Sequence, residues 1–92
     1  MLDQAWTLSS SAALRPEPFG ALAYHFGNRR LTFLKQPGLV DVVQRLSGSR
    51  DVRAALTTAG IEPNQWPSYL AALRQLAASD LITPRSHDGG SA

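Results

Sequence analysis

The side chains that could do chemistry here are two histidines, many serines and a few carboxylates, and their spacing assembles none of them into a site. His25 and His87 are the only histidines, and no cysteine occurs. A zinc or iron site needs several soft or imidazole donors brought together. His87 lies in a Gly/Ser-rich C-terminal stretch, and no second histidine or paired carboxylate accompanies His25. His25 therefore reads as a surface or edge histidine. The lack of cysteine excludes a thiolate metal site, an iron–sulfur cluster, a disulfide framework and a cysteine nucleophile. No serine sits in a nucleophile elbow or beside a base. Asp41 and Asp51 flank the expected starts of helices, where a carboxylate favours the helix dipole without acid–base work. Gly89-Gly90 belongs to the expected C-terminal tail, so no glycine-rich phosphate loop is expected. No enzyme activity, cofactor or metal is expected.

What remains is cationic. Arg29, Arg30 and Lys35 mark one short segment as basic. Charge on an exposed strand deters stray pairing, which is one explanation. The other is a docking edge for a partner strand that carries acidic side chains. The whole chain has nine basic and seven acidic residues, a formal charge of +2. That bias is too weak to argue for nucleic acid by itself.

These residues sit in a chain of 92, long enough for one domain and a small core. Hydrophobic residues make up 43% and charged residues 17%, which excludes compositional disorder. Apolar runs are short, so no membrane span is expected. Met1 to Trp6 lack the pattern of an export signal, and a cytoplasmic location is expected. Met1 to Ala12 read as a leader anchored by Trp6. A first strand is expected over Ala13–Arg15, ended by Pro16-Glu17-Pro18 because proline cannot join a ladder. A second is expected over Ala21–Phe26 and a third from Arg29 or Arg30 to Lys35. Gly27-Asn28 between them is a hairpin signal, since both residues tolerate positive φ. A two-residue loop puts Leu22, Tyr24, Leu31 and Phe33 on one face. A three-residue loop moves Leu34 beside Leu22, and the sequence leaves both open. Either way apolar side chains remain outside the core.

Beyond Gln36-Pro37-Gly38 the period changes to helical. Leu39, Val42, Val43 and Leu46 recur at i, i+3, i+4, i+7, and Gly48 stops that helix. Val52, Ala55, Leu56 and Ala59 repeat the spacing, capped by Ser49 or Asp51 and closed by Gly60. A third helix starts between Asn64 and Pro67, carries Tyr69, Leu70, Leu73, Leu76 and Ala77, and ends near Ser79-Asp80. Leu81-Ile82 pack back on the core. Residues 1–84 form one domain, and 85–92 are expected to be a disordered tail.

The expected fold class is α+β, a three-stranded antiparallel sheet followed by three helices in a winged-helix-like order. That order allows a small DNA-binding protein, but a recognition helix needs several basic and polar readers. Helix three offers Arg74 alone, with Asn64 and Gln65 at its entry. Helix two offers Arg50 and Arg53. The competing reading is strand addition. An extended peptide bonds to the free edge of the third strand and sets alternate side chains against the third helix.

Leu14-Arg15-Pro16-Glu17-Pro18-Phe19-Gly20-Ala21-Leu22, Tyr24-His25-Phe26-Gly27 and Arg30-Leu31-Thr32-Phe33-Leu34-Lys35 resemble the mycofactocin biosynthesis peptide chaperones. These belong to the recognition domains that include the pyrroloquinoline-quinone biosynthesis chaperone. The resemblance spans about Trp6 to Pro84, and Arg15-Pro16-Glu17-Pro18-Phe19-Gly20 carries most of its specificity. It implies a non-catalytic protein that binds the leader of a ribosomally made precursor peptide and presents it to a radical S-adenosylmethionine maturase. It further implies that the leader lies along Arg30, Leu31, Thr32, Phe33, Leu34 and Lys35. The opposite wall would be the helix bearing Tyr69, Leu70, Leu73, Arg74, Leu76 and Ala77. Arg30, Lys35 or Arg74 would attract leader carboxylates. A monomer, or a weak or domain-swapped dimer, is expected, with no nucleic acid and no membrane as partners.

Overall fold

The computed structural model describes residues 1–18 and 20–85. Its main sheet has three antiparallel strands in the order β2-β3-β4: β2 (Ala12–Glu17), β3 (Gly20–His25) and β4 (Leu31–Leu34). Helices α1 (Pro37–Arg45), α2 (Val52–Thr58) and α3 (Trp66–Ala78) follow. The α+β expectation holds, and so does the order of sheet before helices.

Strand β2 is longer than expected, because it runs through Pro16, which lies opposite Ala21. The ladder's phase explains the tolerance. Phe26 N–H donates to Ser11 O at 2.7 Å, so the bonded pairs of β2 and β3 fall at every second residue from there. Pro16 falls between bonded pairs, with its nitrogen facing away from β3, where no donor is required.

The hairpin between β3 and β4 adopts the register that sets Leu22 against Phe33 and Tyr24 against Leu31. Its turn differs from expectation. Positive φ falls on Arg29 (62°) rather than on Gly27 or Asn28. The reason is the His25 side chain. Its Nδ1 accepts from the amides of Gly27 (3.0 Å) and Asn28 (3.1 Å), which coils the loop. The left-handed step is thereby deferred to Arg29, whose amide donates to His25 O at 2.8 Å. Gly20 has φ 146°, and a Cβ there would lie 1.8 Å from Leu34 O. Only glycine lets β3 begin so close to the end of β4.

The sheet buries one face. Ala21, Ala23 and Leu34 point into the core, where they meet Leu39, Val42 and Val43 of α1 and Leu73 and Leu76 of α3. Two alanines on that face let the helices sit close. Asp51 caps α2 by accepting from Ala54 N–H at 2.8 Å, and Gly60 (φ 79°) follows its end. Asp41 is not at a helix start. It lies in the second turn of α1 and pairs with Arg45 at 2.9 Å.

The termini hold a second sheet that the sequence reading lacks. Strand β1 (Trp6–Leu8) pairs antiparallel with β5 (Ile82–Pro84). Leu81 and Ile82 are buried, as expected, and the pairing extends beyond them. Arg85 N–H donates to Ala5 O at 2.8 Å, and the Arg85 guanidinium donates to the carbonyls of Ser47 and Ser49. Arg85 is thus part of the fold rather than of the tail; residues 86–92 lie outside the described residues. At the N-terminus, Gln4 O and Leu2 O accept from Val52 and Arg53, two amides in the first turn of α2. Those amides have no partner within their own helix. Trp6 is half-buried against the core, which agrees with its expected anchoring role.

Candidate strand-accepting groove

The free edge of β4 faces a groove of about 580 Å³ whose far wall is α3. The phase of the hairpin determines what that edge presents. His25 N–H donates to Arg30 O at 2.9 Å, so Arg30, Thr32 and Leu34 turn their main-chain groups toward β3. Leu31, Phe33 and Lys35 turn theirs outward. Side chains alternate the other way. Thr32 and Leu34 lie on the helix side of the sheet, and Leu31 and Phe33 on the open side.

The groove has an apolar floor with polar ends. Leu34 of β4 and Leu39 of α1 line one side, and Ala72 and Leu76 of α3 the other. Ser68, Gln75 and Ser79 add hydrogen-bonding groups along α3, and Lys35 and Gln36 add them at the end of β4. The side chain of Asn28 holds one end closed. Its amide donates to Ser79 O at 3.1 Å, linking the hairpin tip to the C-terminal end of α3, while its Oδ1 accepts from Arg30 N–H at 2.8 Å. Strand and helix therefore run antiparallel, with the exit of β4 facing the entry of α3.

Small residues on one side of α3 create the space. Ser68, Ala72, Gln75 and Ser79 follow helical spacing and face the groove. The neighbouring stripe of Tyr69, Leu73 and Leu76 faces the core. Gly38 belongs to the same packing, because a Cβ there would come within 2.4 Å of the Tyr69 hydroxyl.

Of the candidate residues, Thr32, Phe33, Leu34, Lys35 and Leu76 line this groove. Arg30 and Leu31 are exposed where β4 begins. Tyr69 and Leu73 are buried beneath the groove wall, while Leu70 and Ala77 pack half-buried against the core. Arg74 is exposed on α3, outside the lining. The groove also includes Gln36, Leu39, Ser68, Ala72, Gln75, Ala78 and Ser79, which sequence reasoning missed. One signal could have found the helix members: serine, alanine and glutamine at i, i+4, i+7 and i+11 beside a leucine stripe.

Charge is uneven around the groove. Among the described residues, ion pairs engage Arg15, Arg45 and Arg53 but not Arg29, Arg30, Lys35 or Arg74. No group of three or more histidines and carboxylates gathers in the described part. No helix there is long and apolar enough to cross a membrane.

An open strand edge set beside a helix-walled groove defines a small α+β domain whose main sheet is uncovered along β4. The chain belongs to the MftB family of peptide chaperones, whose family model matches residues 5–83. It is 45% identical over 86 residues to the peptide chaperone MftB of Mycobacterium ulcerans (strain Agy99), covering 94% of this chain and 79% of that one. It is 46% identical over 87 residues to the peptide chaperone MftB of Mycolicibacterium smegmatis (strain ATCC 700084 / mc(2)155), covering 95% and 85%. Against the peptide chaperone MftB of Mycobacterium tuberculosis (strain ATCC 25618 / H37Rv), identity is 47% over 83 residues, covering 90% and 76%. No solved structure matches. The resemblance read from the strand residues is thereby borne out.

Proposed function

We propose that this protein binds the leader of the mycofactocin precursor peptide as a strand added to β4, and presents the peptide to a radical S-adenosylmethionine maturase. The observation that carries this reading is the outward-facing main chain of Leu31, Phe33 and Lys35 beside the groove. An added strand gains main-chain hydrogen bonds from those residues. Its alternate side chains then fill the apolar floor formed by Leu34, Leu39, Ala72 and Leu76. Arg30 and Lys35 flank the added strand and favour leader carboxylates. Tyr69 and Leu73 support the wall from below, whereas Leu70, Arg74 and Ala77 lie outside the lining and take no direct part in this scheme. The protein does no bond chemistry in this scheme. It acts in the cytoplasm by raising the effective concentration of the peptide at the maturase.

The DNA-binding alternative draws little support. Arg53, the one cation within α2, is engaged by Asp3 at 3.0 Å and lies over the Trp66 ring. An amide NMR titration with the leader peptide tests the proposal. Shifts concentrated on Leu31–Lys35 and on Ser68, Ala72, Gln75 and Ser79 are expected. No shift at high peptide excess would refute it for the isolated protein.

A further inference from the structure

The open face of the main sheet is a second surface, which meets the groove only at Phe33. Leu22, Tyr24, Phe26, Leu31 and Phe33 share it. Phe26 is 58% exposed, Leu31 59% and Phe33 41%. Tyr24 and Phe26 stack edge to face there, with ring centroids 5.5 Å apart. Helices cover only the opposite face. Isolated exposed apolar residues need no explanation, but three large ones on one strand pair form a patch.

We infer that this face docks the enzyme that receives the peptide, and that the bound peptide forms part of the docking surface. The inference rests on the strand-addition reading. A strand added at β4 continues the sheet, so every second peptide side chain emerges on the open face beside Leu31 and Phe33. Peptide and chaperone then present one continuous surface.

The size of the face argues against a second copy as its occupant. Four paired positions across three strands make a plate of roughly 200 Å². A stable complex buries about 800 Å² per partner, several times the plate, so the plate alone is too small to hold a second copy. An acceptor enzyme can extend from the plate across the peptide itself. A small interface also suits a hand-off, because transient complexes sit at the low end of interface size. Arg29 and Arg30 stand at the tip of the hairpin, outside every ion pair among the described residues. The matching patch on the enzyme is therefore apolar, with carboxylates at its rim.

The test titrates the radical S-adenosylmethionine maturase against the wild-type protein and the Phe26→Ser and Tyr24→Thr variants, each with and without saturating leader peptide. Neither residue lines the groove, so leader affinity reports on folding and on the groove separately. Leader affinity within about two-fold of wild type, with maturase affinity at least about ten-fold weaker, is the expected result. Leader should also strengthen wild-type binding to the maturase. Unchanged maturase affinity in both variants overturns the inference while leaving the groove reading intact. A wild-type dimer by light scattering that Phe26→Ser converts to monomer assigns the face to a second copy and also overturns it. A leader that fails to bind the wild-type protein removes the groove reading, and this inference with it.

Discussion

Replacing Phe33 by proline isolates the main-chain contribution to peptide binding. The Phe33 amide points away from β3, so its loss breaks no bond within the hairpin. The fold already accepts a proline so placed, at Pro16 on the opposite edge of the sheet. Phe33→Ala is the reference, because it removes the ring and keeps the amide. A main-chain hydrogen bond contributes about 0.5–1.5 kcal/mol net, and a carbonyl left without a donor costs about 1–3 kcal/mol. The peptide carbonyl opposite Phe33 would be left in that position, partly shielded by the groove. Phe33→Pro should therefore bind the leader about 1–3 kcal/mol more weakly than Phe33→Ala, roughly 5- to 150-fold. Fluorescence anisotropy with a labelled leader measures the difference, and urea unfolding checks that the two variants differ by less than about 1 kcal/mol. Thr32→Pro supplies the contrast. Its amide faces β3, so proline there should leave the Ala23 carbonyl without a donor and cost about 1–3 kcal/mol of stability. Equal leader affinity in Phe33→Pro and Phe33→Ala would show that the edge is not used, whatever the groove holds.

Gly20→Ala should lower the melting temperature by more than about 10 °C, since it combines a clash with Leu34 O and a φ that disfavours a side chain. Arg85→Ala should cost about 1–2 kcal/mol in urea unfolding, because the carbonyls of Ser47 and Ser49 lose a charged donor. Leader affinity in that variant should stay near wild type. Arg30→Ala combined with Lys35→Ala should weaken leader binding roughly two- to ten-fold at low salt, and the difference should shrink at high ionic strength. A salt-independent loss would point to packing rather than charge.

Helices α1 and α2 were legible because each buries one apolar stripe. Val42, Val43 and Leu46, or Val52, Ala55 and Leu56, announce their faces by spacing alone. Helix α3 misleads because it is apolar on more than one side. Its leucines are conspicuous and sink into the core, whereas its groove side is serine, alanine and glutamine, which carry no hydropathic signal. Strand β4 was legible as an edge because nothing after Lys35 resembles another partner strand. The terminal pair was not, since three-residue strands are too short for alternation to register and their partners lie at opposite ends of the chain. The shift of positive φ from Gly27-Asn28 to Arg29 depends on a histidine side chain bonding the loop, a contact that no composition rule anticipates.

The terminal sheet also sets how the domain yields to force. Trp6 lies opposite Pro84 and Leu8 opposite Ile82, so the chain leaves β1 and β5 at the same end of their ladder. Tension applied through the two ends loads those hydrogen bonds in series and opens them one after another, like a zip. No bonded row has to shear at once. Once the Arg85 contacts and the bonds from α2 to Leu2 and Gln4 give way, peeling the ladder carries Ile82 out of the core and leaves Leu81 to follow, both being almost fully buried. Tension through the two ends thus opens the terminal sheet before it reaches the groove, which lies on the other sheet.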